Sequence, residues 1–309
     1  MNAHPVPRDG VESVVTIGKF DGVHIGHRAV IDQLRAQANG RRVAVVTFDR
    51  HPLALFDPDR APAPLLSVDQ KVEALRDAGA DVVVVLPFTA EFAALSPEDF
   101  IRDILVNGLS ASLVIVGADF RFGAGGAGTV ESLAASGETH GFEVVTLDHV
   151  SGASGAKIST STIREALLAG DVESAAILLG RPHSVRGLVV HGHQRGRVMG
   201  YPTVNLEEYN EGLVPKAGVY GGIIRVLGQE FFAAISVGRN PTFNDVTRDQ
   251  VETYALDAKF DAYGSSAEIV FVHRIRDMEA FGSVDDLVVA LDGDLVKIRG
   301  LIASGELHL

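Results

Sequence analysis

The residues in this chain whose types and spacing best suit chemistry are His24 and His27, within the run Gly18-Lys19-Phe20-Asp21-Gly22-Val23-His24-Ile25-Gly26-His27. The run stands where a strand pattern, Val14 to Ile17, gives way to a helical one. That helical stretch has apolar Ala29, Val30, Ile31, Leu34 and Ala38 and ends at Gly40. A helix N-terminus offers free N–H groups and a positive dipole end, which together bind phosphate. Gly26 lets the backbone come close to such an anion, and Gly18 and Phe20 belong to the turn that leads to it. Two imidazoles at that junction can donate to charge that develops on phosphate oxygens during transfer. The blander alternative, a pair of surface histidines beside a turn, leaves the length of the run unexplained.

Further along, Lys157-Ile158-Ser159-Thr160-Ser161-Thr162-Ile163-Arg164 places four hydroxyls and two cations at a loop-to-helix junction. Ser159, Thr160, Ser161 and Arg164 can close over the far phosphates of a triphosphate. The plainer reading is a helix cap, with Thr162 and Glu165 at capping-box spacing. Gly192-His193-Gln194-Arg195-Gly196-Arg197 reads as a phosphate loop or as a glycine-rich hairpin. It is followed by Pro202-Thr203-Val204-Asn205, where the Thr203 hydroxyl and the Asn205 amide oxygen are hard ligands of the kind Mg²⁺ takes. Glu252, in Val251-Glu252-Thr253-Tyr254, is by itself a carboxylate on a strand, more often solvated than functional.

These residues need a frame. Strand patterns at Val14 to Ile17, Val43 to Phe48, Val82 to Leu86, Leu113 to Val116 and Glu143 to Leu147 alternate with helical ones at Asp69 to Ala78, Pro97 to Val106 and Val130 to Ser136. That alternation predicts an α/β, doubly wound, Rossmann-like domain. Gly18, His51 and Gly117 each follow a strand and should share the carboxyl edge where ligands bind. After the loop Ser151 to Gly155 and two short helices, the second from Asp171 to Gly180, the boundary is expected near Arg181 to Ser184. That divides the chain into 1–182 and 183–309. Strands at Ser184 to Val190, Gly218 to Val226, Phe231 to Val237, Val251 to Leu256 and Ala267 to Val272 predict a small antiparallel barrel. Val284 to Ile302 should close the chain as one long helix with Leu287, Leu291, Leu295 and Ile298 on a face.

Bulk composition narrows the partners. The chain has 309 residues, 46% of them hydrophobic, enough for two cores. Its formal charge of −13 argues against a grip on nucleic acid through phosphates. No apolar run approaches the roughly 20 residues of a bilayer span. The absence of cysteine excludes disulfides and thiolate metal sites, and Met1 to Arg8 is polar, so a cytoplasmic protein is expected. Nothing in the pattern gives the oligomeric state.

Taken together, the motifs resemble the bacterial bifunctional riboflavin kinase/FAD synthetase family. The likeness runs through Gly18 to His27, Thr47-Phe48 with His51-Pro52, Gly117 with Asp119-Phe120-Arg121-Phe122-Gly123, and Ile158 to Arg164. It continues through Leu178 to Pro182, Gly196-Arg197, Gly200 to Asn205, Gly218-Val219-Tyr220, Asn240 to Phe243, Val251-Glu252 and Tyr263-Gly264. The resemblance implies phosphorylation of riboflavin to FMN by a C-terminal barrel with ATP and Mg²⁺. It further implies adenylyl transfer from a second ATP to FMN by the N-terminal domain. It gives His24 and His27 the adenylyl transition state, and Gly18, Phe20, Gly26, Ser159, Thr160, Ser161 and Arg164 the ATP of that step. His51, Asp119 and Phe120 become FMN ligands in the N-terminal domain. In the barrel it gives Gly196 and Arg197 phosphate, Thr203 and Asn205 the metal, Tyr263 the flavin, and Glu252 the role of base.

Some positions depart from the family pattern. Lys19 replaces a usual Asn and Arg50 a usual Pro, adding positive charge beside the adenylyl site. Ser159-Thr160-Ser161 keeps the hydroxyls of the usual Ser-Ser-Thr, Val204 replaces Ala, Ala262 replaces Leu, and Glu279 falls one place late after Arg276. The main alternative is an FMN adenylyltransferase with a non-catalytic flavin-binding barrel. A flavin-responsive binding protein and an unrelated nucleotidyltransferase are weaker alternatives, because both motif histidines and the barrel motifs are retained.

Overall fold

The computed structural model describes residues 4–147, 158–191, 201–238 and 249–309. The chain forms two compact units, Met1–Thr160 and Ser161–Leu309. The expected loop Ser151 to Gly155, Lys157, the Gly192 to Arg197 segment with Gly196 and Arg197, and Asn240 to Phe243 lie outside the described residues.

The first unit is a five-stranded parallel sheet. Its strands are β1 (Ser13–Ile17), β2 (Arg42–Phe48), β3 (Val82–Leu86), β4 (Ala111–Gly117) and β5 (Glu143–Leu147), ordered β3-β2-β1-β4-β5. Valine-rich strands buried on both faces suit this arrangement. Val15, Ile17, Val46 and Val114 feed one core, with Phe100, Leu105 and Leu133 packed on it. Val14, Val43, Leu113 and Ile115 face the other way, onto Leu34 of helix α1 (Ile25–Gln37). Helix α2 (Leu53–Phe56) follows β2, and α3 (Val68–Asp77) begins with a capping box in which Ser67 and Gln70 exchange hydrogen bonds. After α4 (Ala90–Ala93), the expected helix at Pro97 to Val106 is α5 (Pro97–Phe100) continued by a π-helical stretch, Ile101–Val106. Helix α6 (Val130–His140) leads into β5.

The second unit carries α7 (Thr160–Ala169) and α8 (Val172–Leu179), then the strands of a closed barrel. The start of α7 corrects the expected cap. The helix already includes Thr160, so Thr162 lies inside its first turn. With consecutive hydroxyls at 159–162, spacing alone does not select which one caps. Asp171 caps α8 as expected, its side chain accepting from Ser174 N at 2.9 Å.

The barrel strands are β6 (His183–Val190), β7 (Val204–Leu206), β8 (Gly218–Val226), β9 (Gln229–Gly238), β10 (Gln250–Ala255) and β11 (Ser266–Arg276). They close in the order β10-β7-β6-β11-β8-β9. Only β7 was not anticipated. At three residues it shows no alternation of its own, yet it completes the ring. Strict alternation marks β6 and β10, whereas β8 is buried along nearly its whole length. On β10, Val251, Thr253 and Ala255 are buried, while Glu252 and Tyr254 remain half-buried on the other face. Helix α8 packs against the barrel, with Glu173 accepting from the Arg274 main chain at 2.9 Å and lying 3.3 Å from His273. Helix α9 (Val284–Ser304) follows the expected apolar face, with one surprise. Asp294 sits on that face, is 3% exposed, and is gripped by Arg276 at 2.8 Å.

Candidate active sites

In the first unit the site grows from the turn between β1 and α1. Phe20 and Val23 hold left-handed backbone conformations, φ +48° and +43°, around Gly22 at φ +80°. For a β-branched residue such as Val23 this is strained, on the order of 1–3 kcal/mol. The turn persists because Phe20 and Val23 are both buried and the Phe20 ring meets His27 edge-on at 5.0 Å. Its effect is to place His24 at the N-cap of α1. There the Nδ1 of His24 accepts the main-chain N–H of His27 at 3.2 Å, which leaves the His24 ring proton on Nε2.

The two imidazoles stack, 3.6 Å between centroids with 14° between planes. Burial lowers the His24 pKa to about 4. His27 falls well below its ordinary value through burial first, then the charges of His24, Lys19 and Lys71. Both rings are therefore neutral donors near pH 7. The Nδ1 of His27 is buried without a hydrogen-bond partner among the described residues. A buried polar atom left in this state calls for a ligand.

Around His27 opens a cavity of about 620 Å³ at the carboxyl ends of β1, β2 and β4, reached by Gly18, Phe48 and Gly117. That edge is where an open α/β sheet binds ligands. One wall is aromatic. Phe48, Phe88 and Phe92 meet one another at 5.5–5.8 Å, and Phe56, 67% exposed, meets Phe88 at 6.2 Å. Asp119 and Phe120 line the cavity where the chain leaves β4. A Cβ at Gly117 would stand 3.2 Å from the Asp119 carboxylate, so glycine here leaves that side chain its room. Thr160 donates to the Asp21 carbonyl at 3.4 Å, which brings its hydroxyl to the turn before His24. Ser161 and Arg164 lie in the early turns of α7, within the second unit.

The sequence reading missed Lys71. Its Nζ donates to the carbonyls of Phe48 (2.6 Å) and Lys19 (3.4 Å), tying β2 to the phosphate turn, and the residue is 7% exposed. Burial lowers its pKa, while Asp21 and Asp49 act in the opposite sense. The signal was present in the pattern. Lys71 stands four residues before buried Leu75, on the inward face of α3.

In the second unit, Glu252 pairs in register with Asn205 of β7 on one side and Ser236 of β9 on the other. Paired residues point to the same face of a sheet. Asn205 Nδ2 lies 3.3 Å from Thr203 Oγ1, so a hydroxyl, an amide and a carboxylate gather on one barrel face. This is a set of oxygen donors suited to a hard cation. Just before it, Tyr201 stacks edge-on with Tyr254 at 5.6 Å and donates to Asp292 of α9 at 2.6 Å. Met278 reaches Ser236 Oγ at 3.8 Å, so the chain after β11 passes beside the register partner of Glu252. Tyr263 stacks on His191 at 3.7 Å, one residue past Val190, the β6 partner of Asn205.

Comparison with known proteins agrees with this division. Residues 7–162 match the FAD synthetase family and residues 179–302 the riboflavin kinase family. The bifunctional riboflavin kinase/FMN adenylyltransferase of Listeria monocytogenes is 37% identical, with 98% of each chain covered. The enzyme of the same name from Escherichia coli is 36% identical over 96% of this chain and 95% of that one. Among solved structures, a crystal structure of a macrolide-efflux protein from Streptococcus pneumoniae superposes with a TM-score of 0.84 at 33% identity. It covers 95% of this chain and 97% of that one. Among the described residues, no helix is long and apolar enough to cross a membrane. With both family matches, near-complete coverage and the two sites described above, this chain belongs to the bifunctional riboflavin kinase/FMN adenylyltransferase family.

Proposed function

We propose that this protein makes FAD from riboflavin in two ATP-dependent steps. Riboflavin is phosphorylated to FMN, and FMN is then adenylylated to FAD with release of pyrophosphate. The observation that carries the reading is the presence of two separately cored units, the first matched over most of its length by the FAD synthetase family and the second by the riboflavin kinase family. We assign adenylyl transfer to residues 1–182 and phosphorylation to residues 183–309. The use of ATP in both steps supports a cytoplasmic location.

In adenylyl transfer, a phosphate oxygen of FMN attacks the α-phosphorus of ATP and pyrophosphate leaves. Neither reactant needs to lose a proton, so the residues mainly position the groups and offset charge. The N-terminus of α1 and the N–H groups of His24 and His27 are set to receive charge that grows on the α-phosphate. Gly18, Phe20 and Gly26 shape that turn, and Ser159, Thr160, Ser161 and Arg164 hold the outer phosphates. The aromatic wall, with His51, Asp119 and Phe120, takes the flavin. A volume of about 620 Å³ lies within the usual range for a ligand of that size.

In phosphorylation, the ribityl hydroxyl attacks the γ-phosphorus of ATP and ADP leaves. Glu252 accepts the hydroxyl proton. Thr203 and Asn205 would hold Mg²⁺, which supplies neutralisation of phosphate charge when bound, and their oxygen-donor chemistry fits that ion. Gly196 and Arg197 serve the ATP phosphates, and Tyr263 serves the flavin. The co-product tests the scheme. FMN with ATP should yield pyrophosphate and no ADP, and riboflavin with ATP should yield ADP first, then pyrophosphate as the FMN formed is adenylylated. ADP from FMN, or pyrophosphate from riboflavin without ADP, contradicts it.

A further inference from the structure

We propose that Lys71 is a positioning residue for adenylyl transfer, a fixed positive charge behind the phosphate turn that acts through the carbonyls of Lys19 and Phe48, an inference that rests on the function proposed above. Lys19 and Phe48 line the cavity, while Lys71 stays out of the lining and holds both by their main-chain oxygens. The Lys19 carbonyl belongs to the peptide that enters the left-handed Phe20, on the way to His24. Lys71 thus grips the turn where its strain begins.

The shape of the turn does not by itself call for a charge. Phe20 and Val23 share a core with Val72 and Leu75 of α3, which seats the turn by apolar packing. Gly18 N donates to the Val46 carbonyl at 3.0 Å, and Thr47 Oγ1 to the Lys19 carbonyl at 2.9 Å. A neutral donor would serve the remaining carbonyl bonds without the cost of desolvating an ammonium. Among the described residues, Lys71 is nonetheless the one lysine or arginine that is fully buried, and its hydrogen bonds go to neutral carbonyls. Asp21 and Asp49 favour its charged form, but the first is engaged by the Leu65 N–H and the second by Arg50 and the Phe88 N–H.

That charge reaches the site, since it acts on His27. Both imidazoles are neutral near pH 7, so they bring donors and no net charge. Lys19 and Arg50 are exposed, where water and salt screen them. A buried ammonium is screened far less, and the carbonyls that hold it keep it from moving. Adenylyl transfer forces two anions together, and a preorganised cation behind them offsets that repulsion most where charge grows, in the transition state.

The test compares parent, Lys71→Gln and Lys71→Arg proteins, full length, in FAD formation from supplied FMN and ATP, with rates taken per folded protein from circular dichroism. Gln keeps N–H donors and loses the charge, whereas Arg keeps both. Lys71→Gln should lower kcat about 10–100-fold, with KM for FMN and for ATP within about threefold of the parent. Lys71→Arg should recover most of the kcat, and both variants should make FMN from riboflavin at the parent rate. A Lys71→Gln protein with parental kcat overturns the assignment, as does a Lys71→Arg protein no faster than Lys71→Gln. It is also overturned by a rise in KM with kcat unchanged, by an equal loss of FMN formation, or by a loss of FAD formation that only tracks the loss of folded protein. A parent that makes no FAD from FMN contradicts the proposed function itself.

Discussion

His24 and His27 stack face to face, 3.6 Å between ring centroids, with Nδ1 of the first receiving the main-chain N–H of the second. This fixes the tautomer of His24 and holds both rings at the mouth of α1. If both donate to the developing phosphate charge, His27→Ala should lower FAD formation from FMN by about 10²–10³-fold. FMN formation from riboflavin should remain near the parent rate. Steady-state assays of the two steps, run separately, check this. Equal loss of both activities counts against the assignment.

Glu252 and Asn205 are register partners across β10 and β7. Glu252→Gln keeps the shape of the side chain and removes its basicity. FMN formation should fall by about 10²–10⁴-fold, with FAD formation from FMN retained. A Gln protein that phosphorylates riboflavin at the parent rate would return Glu252 to the status of a strand residue.

The packing of α8 bears on where the second unit can be cut. Val172, Ala175 and Leu179 are buried, and Glu173 bonds to Arg274 and contacts His273 on β11. A fragment of residues 161–309 should phosphorylate riboflavin and make no FAD. One that starts at His183 loses these contacts and should be less stable by on the order of 3 kcal/mol or more. Urea titrations of the two fragments, with riboflavin kinase assays, check both statements. Equal midpoints would show that α8 contributes nothing to the barrel.

His183 supplies a pH dependence. It is 2% exposed and lies 2.7 Å from the Leu213 carbonyl through Nε2, and burial lowers its pKa from 6.5 to about 4. Between those values the unfolded chain binds a proton that the folded one does not. Stability should therefore fall as pH drops from 6.5 toward 4, by about 3 kcal/mol from this residue, with no loss from it above that window. His183→Gln keeps a donor for Leu213 and should flatten this part of the stability profile in the 161–309 fragment. An unchanged slope would contradict the assignment.

Much of this was legible in the residues. The strand-to-helix run at Gly18 to His27, the alternation of β10 and the apolar stripe of α9 each carry local signals that packing reinforces. Other parts depend on tertiary contacts. Lys71 is a buried cation whose partners are carbonyls 23 and 52 residues away, and no local pattern specifies those. Asp294 interrupts the apolar face of α9 because Arg276 waits for it on β11. The β7 strand is too short for a periodicity, and its place is set by the ladders on either side.

The central claim is that one chain performs two sequential reactions at two sites. The most direct measurement is a time course of the full-length protein with riboflavin, ATP and Mg²⁺, with the flavins resolved by chromatography. The account predicts that FMN appears first and FAD follows. It predicts that the His27→Ala protein stops at FMN, and that the Glu252→Gln protein makes FAD only when FMN is supplied. Riboflavin that remains unconverted by the parent protein, or two variants that fail at the same step, would contradict it.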